Sequence, residues 1–310
     1  MNVDFFVQQC VNGLTLGSVY ALIALGYTMI YGILKLLNFA HGEVYMIGAF
    51  IGYGVITGLG GAADPSLPVV VVIVLMFLAA TLGSGLLGVV VERVAYRPLR
   101  DAPRIAPLIS ALGVSFFLQS TVVLLFTPDY KSYDAFNLPG DPLFSKGIHT
   151  GPLNISLVRI LVIVTALVLM VALTLFVSRT RLGKAMRAVS FDREAASMMG
   201  IDVDRTIVMT FLIASALAGA AGVMVGLFLS RIYFFMGFLA GLKGFTAAVV
   251  GGIGSIPGAM VGGLLIGIAE AFSTGYISTT FYDLVVFALL IAFLLIRPQG
   301  LFGKPELKKV

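Results

Sequence analysis

The chain has 310 residues, of which 59% are hydrophobic and 11% charged, whereas soluble domains carry about 25% charged residues. No soluble core absorbs that much apolar surface, so the composition excludes an ordinary globular protein and points to an all-α polytopic protein of the bacterial inner membrane. A net charge of +5 would suggest nucleic acid in a soluble chain, but here it is accounted for by where Lys and Arg fall, and the single Cys10 excludes an intrachain disulfide.

A helix needs about 20 apolar residues to cross the hydrocarbon core. The first such run, 11–34, lacks a basic n-region and is too long for a signal peptide, so it is expected to remain as a span. The second, 42–59, opens on Asn38-Phe39-Ala40-His41-Gly42-Glu43. Ionisable groups in spans are costly and usually face a bundle interior. Pairing of His41 and Glu43 with Lys35 or a neighbouring helix at the cytoplasmic interface is the plainer expectation, and membership of an inner gate, with Asn38, the sharper one.

Runs 68–91 and 104–126 follow, and then a polar loop, 127–153, with Asp129, Asp134 and Asp141 against Lys131, Lys146 and His149. Runs 154–177 and 206–229 flank a polar island, Arg179 to Arg205, with six Arg or Lys together with Asp192, Glu194, Asp202 and Asp204. Within it Leu182, Ala185, Met186 and Val189 recur at helical spacing, as do Phe191, Ala195, Met198 and Met199. Two short amphipathic helices are predicted. Arg181, Lys184 and Arg187 lie opposite the first apolar stripe, Asp192 is placed to cap the second helix with Arg193 and Glu194 in its first turn, and Gly200 can end it in a left-handed conformation. A membrane protein gains little from such a pair unless a soluble partner binds it, so 179–205 is read as a cytoplasmic docking device.

A ninth apolar stretch, 237–256, is rich enough in Gly to be a full span, a broken helix or a re-entrant loop, and runs 258–277 and 280–296 close the series. Gly251-Gly252-Ile253-Gly254-Ser255-Ile256-Pro257-Gly258 is too dense in breakers for a continuous helix. The segment 241–258 is therefore expected to line a pathway or hinge a gate, with a tight interhelical turn as the alternative. Lys243 and Glu270, on consecutive apolar runs, are expected to neutralise one another and brace the Gly-rich break. Gln119, Asn12 and Thr15 are polar groups available for hydrogen bonds between helices.

Threading alternate loops gathers Lys35, Arg93, Arg97, Arg100, Arg104, the six island residues, Arg297, Lys304, Lys308 and Lys309 on one side, fifteen of twenty basic residues. By the positive-inside bias that side is the cytoplasm, which puts the N-terminus and the loop 127–153 in the periplasm and the C-terminus inside. Such a chain needs an odd number of crossings, favouring nine over eight. Small-xxx-small pairs such as Gly13/Gly17 and Gly263/Gly267 suit close helix packing. No internal repeat is detectable, so 1–310 reads as one permease domain, with an inverted repeat below sequence level left open.

No His/Cys/Asp cluster has metal-ligand spacing, and nucleophile-elbow and zincin motifs are absent. The Gly cluster is not a dinucleotide fingerprint, and no G-x-x-x-x-G-K-[ST] loop exists to hold nucleotide phosphates. Enzymatic chemistry is not expected, and if ATP powers the protein another chain binds it.

Several segments together resemble the LivH-type permease subunit of branched-chain amino acid ABC importers. They are Asn12-Gly13-Leu14-Thr15-Leu16-Gly17-Ser18, Asn38 to Gly48, Glu92-Arg93-Val94-Ala95-Tyr96-Arg97-Pro98, and Phe245 to Met260. Glu194-Ala195-Ala196-x-x-x-Gly200 fits the start of the EAA loop of importer permeases, although its later I-x-L-P part is absent. The resemblance implies a heteromeric assembly with a sister permease, two cytoplasmic ATPase subunits carrying ATP and Mg, and a periplasmic protein delivering leucine, isoleucine or valine. Relatives carrying urea, short amides or other amino acids share many of these segments. The rival readings are an ion-coupled secondary transporter using His41, Glu43 and Glu270, and a scaffold or receptor component without flux.

Overall fold

The structure is a computed structural model, and it describes residues 3–59, 68–100, 102–103, 105–133, 148–150 and 153–303. The predicted charges Asp134, Asp141, Lys146, Arg104, Lys304, Lys308 and Lys309 lie outside the described residues. The helices are α1 (Val3–Leu34), α2 (His41–Gly58), α3 (Val69–Val91), α4 (Ile105–Phe126), α5 (Leu157–Arg179), α6 (Arg181–Phe191), α7 (Arg193–Met198), α8 (Val203–Leu229), α9 (Met236–Gly251), α10 (Ile256–Phe272) and α11 (Tyr282–Ile296). Two antiparallel strand pairs are small: β1 (Lys131–Ser132) on β4 (Arg231–Ile232), and β2 (Ile148–Thr150) on β3 (Leu153–Ile155).

Six helices are long and apolar enough to cross a membrane, namely Val3–Leu34, Val69–Leu99, Ile105–Phe126, Leu157–Arg179, Val203–Leu229 and Ile256–Ile277, and the shorter α9 and α11 are apolar as well. The protein is thus an all-α polytopic membrane protein.

Glycine decides how closely these helices approach. In lipid no hydrophobic drive brings helices together, so contact depends on van der Waals packing of small residues. A Cβ at Gly13 would come 2.7 Å from the Ile268 Cα, and one at Gly17 would come 2.8 Å from the Leu264 Cα. Gly263 and Gly267 press in the same way on Ala21 and Gly17. Because residue numbers rise along one helix as they fall along the other, α1 and α10 run antiparallel. The same grip recurs between α3 and α8, where Gly88 meets Phe211 and Ser215, and Gly219 meets Ala80 and Ser84.

That recurrence exposes a repeat hidden from the sequence. A long helix, a shorter one and a helix ending in a π turn follow one another twice, as α1–α2–α3 and as α8–α9–α10, the π turns being Glu92–Tyr96 and Ser273–Ile277. Another helix follows each, α4 and α11. Each half's third helix packs on the other half's long helix, α3 on α8 and α10 on α1, so the halves are interlocked.

The Gly-rich region resolves into helix, turn and helix. Breakers end α9 only at Gly251, and the turn is confined to Gly252–Ser255, where Gly252 and Gly254 take φ of 105° and 93°, a region L side chains rarely adopt. The Ser255 hydroxyl accepts from the Gly258 amide at 3.2 Å and so caps α10, with Pro257 in its first turn. Leu301 and Phe302 donate backbone hydrogen bonds to Val250 and Gly251 at 2.9 and 3.0 Å, which pins the C-terminal segment onto the turn.

Candidate functional site

Three polar constructions stand out on this frame. The first is the island. Thr180 caps α6 by accepting from the Gly183 amide at 3.0 Å, and Asp192 caps α7 by accepting from the Ala195 amide at 3.1 Å. Gly200 follows α7 at φ 80°. Phe191 closes the first helix and does not open the second, contrary to the sequence reading. Met186 and Val189 are buried, packing α6 against the bundle. By contrast Phe191, Met198 and Met199 are 94%, 86% and 82% exposed. Three large apolar side chains thus stand exposed on the segment α6–α7, with Arg181, Lys184, Glu194 and Ala195 also exposed.

Two island arginines bond to carbonyls within the chain. Arg187 donates to the Val177 and Ser178 carbonyls, and Arg193 to the Ile33 carbonyl at 2.9 Å. Both satisfy carbonyls at helix ends, which have no intrahelical donor. The island is thereby tied to the ends of α5 and α1. A further anchor, not anticipated from the sequence, joins the end of α3 to the start of α8: Asp204 pairs with Arg97 at 2.7 Å and with Arg100, which also holds the buried Glu92.

The second construction surrounds Glu43. His41 and Glu43 are fully buried, and neither contacts Lys35, whose Nζ lies 5.9 Å over the Tyr31 ring. Lys35 is thus not the partner, and Glu43 pairs with a neighbouring helix, the other partner expected. Glu43 accepts from Ser115 Oγ at 3.1 Å and from Gln119 Nε2 at 2.7 Å, both on α4. It sits in the first turn of α2, and a Cβ at Gly237, in the first turn of α9, would strike its other oxygen. Two helix N-termini therefore face one acid, and their dipoles favour negative charge there. His41 packs edge-on to Tyr27, ring centroids 4.9 Å apart. Asn38 accepts from the Tyr96 hydroxyl at 3.0 Å.

The third construction contains the predicted Lys243–Glu270 pair, found at 2.7 Å. Sequence reasoning missed its other member, Asp283, whose carboxylate is also 2.7 Å from Lys243 Nζ. The signal was present: an acid in the last apolar run needs a cation as much as Glu270 does. The Lys243 ammonium also lies 4.4 Å over the Tyr282 ring. One lysine thus joins α9, α10 and α11. It lines a cavity of about 640 Å³ walled by α1, α8, α9 and α10. Gly251, Gly252, Gly254 and Pro257 do not reach this cavity; they belong to the turn beyond the far end of α9. Thr15, one of the candidate interhelical donors, spends its hydroxyl on the Val11 carbonyl of its own helix.

Among the described residues no group of His, Cys, Asp and Glu could hold a metal ion. Residues 9–294 match the family described as branched-chain amino acid transport system, permease component. The chain is 48% identical over 305 residues to the high-affinity branched-chain amino acid transport system permease protein BraD of Pseudomonas aeruginosa, covering 98% of each. It is 45% identical over 311 residues to LivH of Escherichia coli K12, a protein of the same description, covering 99% of this chain and 98% of that one. To a probable branched-chain amino acid transport permease protein of Methanocaldococcus jannaschii it is 29% identical over 294 residues. No solved structure matches. A membrane bundle without metal-ligand clusters among its described residues, matched almost end to end by these proteins, belongs to the family of branched-chain amino acid transport permeases.

Proposed function

We propose that the chain is the permease subunit of an ATP-driven importer that moves leucine, isoleucine or valine from periplasm to cytoplasm. Its expected partners are a sister permease, two cytoplasmic ATPase subunits that carry ATP and Mg, and a periplasmic amino-acid-binding protein. The names of the relatives support the substrate class. The motor is expected on other chains because no phosphate-binding loop occurs in this sequence.

In this reading α1 to α5 and α8 to α11 cross the bilayer, nine in all, with the N-terminus outside and the C-terminus inside. Odd parity between α1 and α8 then makes the two halves an inverted repeat, the arrangement on which many transporters build alternating access. The segments before α2 and α9 re-enter the membrane, so that both short helices start at depth beside Glu43.

One observation carries the coupling assignment: Phe191, Met198 and Met199 are exposed together on helices whose caps and arginines fasten them to α1 and α5. An isolated exposed apolar side chain means little, whereas three on one rigid tip mark a docking surface. Met suits it, being adaptable and readily buried. ATP-driven closure of the motor would pull on this tip, and the ties through Arg187 and Arg193 would pass the movement to α5 and α1. The double variant Met198→Asp/Met199→Asp should keep its assembled bundle yet lose ATP-dependent leucine uptake, as measured in proteoliposomes. Undiminished uptake by that variant would sink the assignment.

A further inference from the structure

Two junctions of the interlocked repeat are equivalent by position and opposite in chemistry. At each, the π turn that ends one half's third helix lies beside the start of the other half's long helix. Where α10 meets α1 the contacts are neutral. Phe5 packs edge-on to Tyr276 with ring centroids 5.2 Å apart, Phe6 does so to Phe272 at 5.3 Å, and a Cβ at Gly275 would strike the Gln9 side chain. Where α3 meets α8 the contacts are charges. Asp204, the second residue of α8, accepts from Arg97 at 2.7 Å and from Arg100, and Arg100 also holds Glu92. Glu92 is fully buried and Asp204 is half-exposed.

Rings would serve packing at both junctions, and a half-exposed carboxylate in an ion pair adds little to stability. The positive-inside bias accounts for Arg97 and Arg100 but not for the acids they hold. What sets the charged junction apart is its place: Asp204 belongs to the polar island, four residues after Gly200. On its other side the π turn is a hub, as single π turns within helices often are at functional sites. The Tyr96 hydroxyl donates to Asn38, just before α2, at 3.0 Å, and Ser110 on α4 donates to the Ala95 carbonyl at 3.1 Å. These are the two helices that meet at Glu43.

We propose that Asp204 and Arg100 are positioning residues that carry movement of the docked island to α2 and α4 through the π turn ending α3. Neither touches the transported molecule. Arg187 and Arg193 tie the island to α5 and α1, and the Asp204–Arg100 contact adds the third helix of the first half. Charge suits this role, because the water-accessible side of the contact can break and re-form as the island moves. Arg100 stays on Glu92 meanwhile, since a buried carboxylate stripped of its cation is strongly disfavoured. The proposal rests on the importer reading and adds the route by which the motor reaches the first half of the repeat.

The test uses the assembled transporter in proteoliposomes, with ATP inside and loaded binding protein outside, and reads leucine taken up per ATP hydrolysed. Asp204→Ala leaves Arg100 on Glu92, so the complex should assemble and melt as the parent does. Its leucine per ATP should fall roughly two- to thirtyfold, the range over which residues along a coupling network act, and Asp204→Glu should recover most of that loss. A dye reads the movement itself. On Cys10→Ser/Val94→Cys, labelled at this exposed position of the π turn, a non-hydrolysable ATP analogue with Mg should change the emission, and adding Asp204→Ala should abolish the change. A parent-like ratio in Asp204→Ala, whether both rates hold or fall together, would overturn the relay, as would an undiminished dye response. Should Asp204→Ala not assemble, Asp204→Asn, which keeps the shape and drops the charge, is judged by the same two readouts. A parent that takes up leucine without ATP would remove the importer reading, whereas a coupled parent with an unaffected Asp204→Ala removes the relay alone.

Discussion

Glu43 and Glu270 are both acids buried in the bundle, yet they are stabilised in opposite ways. Glu270 has a full counter-charge, Lys243, which is shared with Asp283. Among the described residues Glu43 has no cation within the salt-bridge distance and is met by the neutral donors Ser115 and Gln119 and the first turns of α2 and α9. The difference has a mechanical consequence. A shared ion pair between three helices can be broken and remade by a competing charge, which suits the wall of a cavity. Fixed dipoles and hydrogen bonds cannot be exchanged in that way, which suits a joint that holds α4 to α2.

Several perturbations would break or sharpen this contrast. The largest effect is expected below both sites, in the glycine contact that supports them. Gly263→Val would drive its side chain into Ala21, and overpacking of this kind, typically about 1–3 kcal/mol in soluble cores, meets backbone here and should abolish assembly, as read by loss of the complex in detergent. Next comes Lys243→Met, which leaves the buried Glu270 and the partly exposed Asp283 without their cation and should cost about 3–5 kcal/mol, chiefly through Glu270. A thermal shift assay would check it. The triple change Lys243→Met/Glu270→Leu/Asp283→Asn should recover most of that loss if charge is the cause, and recovery of nothing would count against the ion triad. Glu43→Leu removes the acceptor for Ser115 and Gln119 and is expected to cost about 1–3 kcal/mol for the unpaired donors. Smallest is Glu43→Gln, whose carbonyl oxygen can still accept from both, so that melting and uptake should change little. A large loss from Glu43→Gln would show that the negative charge itself is required, and the contrast drawn above would fail.

Reading from the sequence succeeded where periodicity or electrostatic necessity left one solution. The island's helices, the caps at Asp192 and Gly200, and the Lys243–Glu270 pair follow from spacing, cap chemistry and the cost of an unpaired charge in an apolar environment. Sequence reasoning fell short where tertiary contact decides. The hydroxyl of Ser115 and the amide of Gln119 are unremarkable on α4 until folding brings α2 beside them, 72 and 76 residues away in sequence. The period places Arg187 on the polar face, where it is exposed, but it does not show that Arg187 and Arg193 are long enough to reach carbonyls at the ends of α5 and α1. The Gly251–Gly258 segment does break the helix, as its density of breakers implies, and it does so as the tight interhelical turn held as the alternative, confined to Gly252–Ser255, while Gly258 packs on Gly251 beyond it. The repeat was hidden because it lies in packing partners and π turns, not in residue identities.

The central claim is that this permease moves an amino acid by coupling to a motor bound at the Phe191–Met198–Met199 tip. It is tested most directly by uptake of labelled leucine into proteoliposomes holding the permease pair and ATPase subunits, with ATP trapped inside and binding protein supplied outside. The account predicts uptake that requires both ATP and binding protein and is lost in Met198→Asp/Met199→Asp. Uptake that ignores ATP but follows an imposed proton or sodium gradient would contradict it, and would transfer the driving role to Glu43 and Glu270.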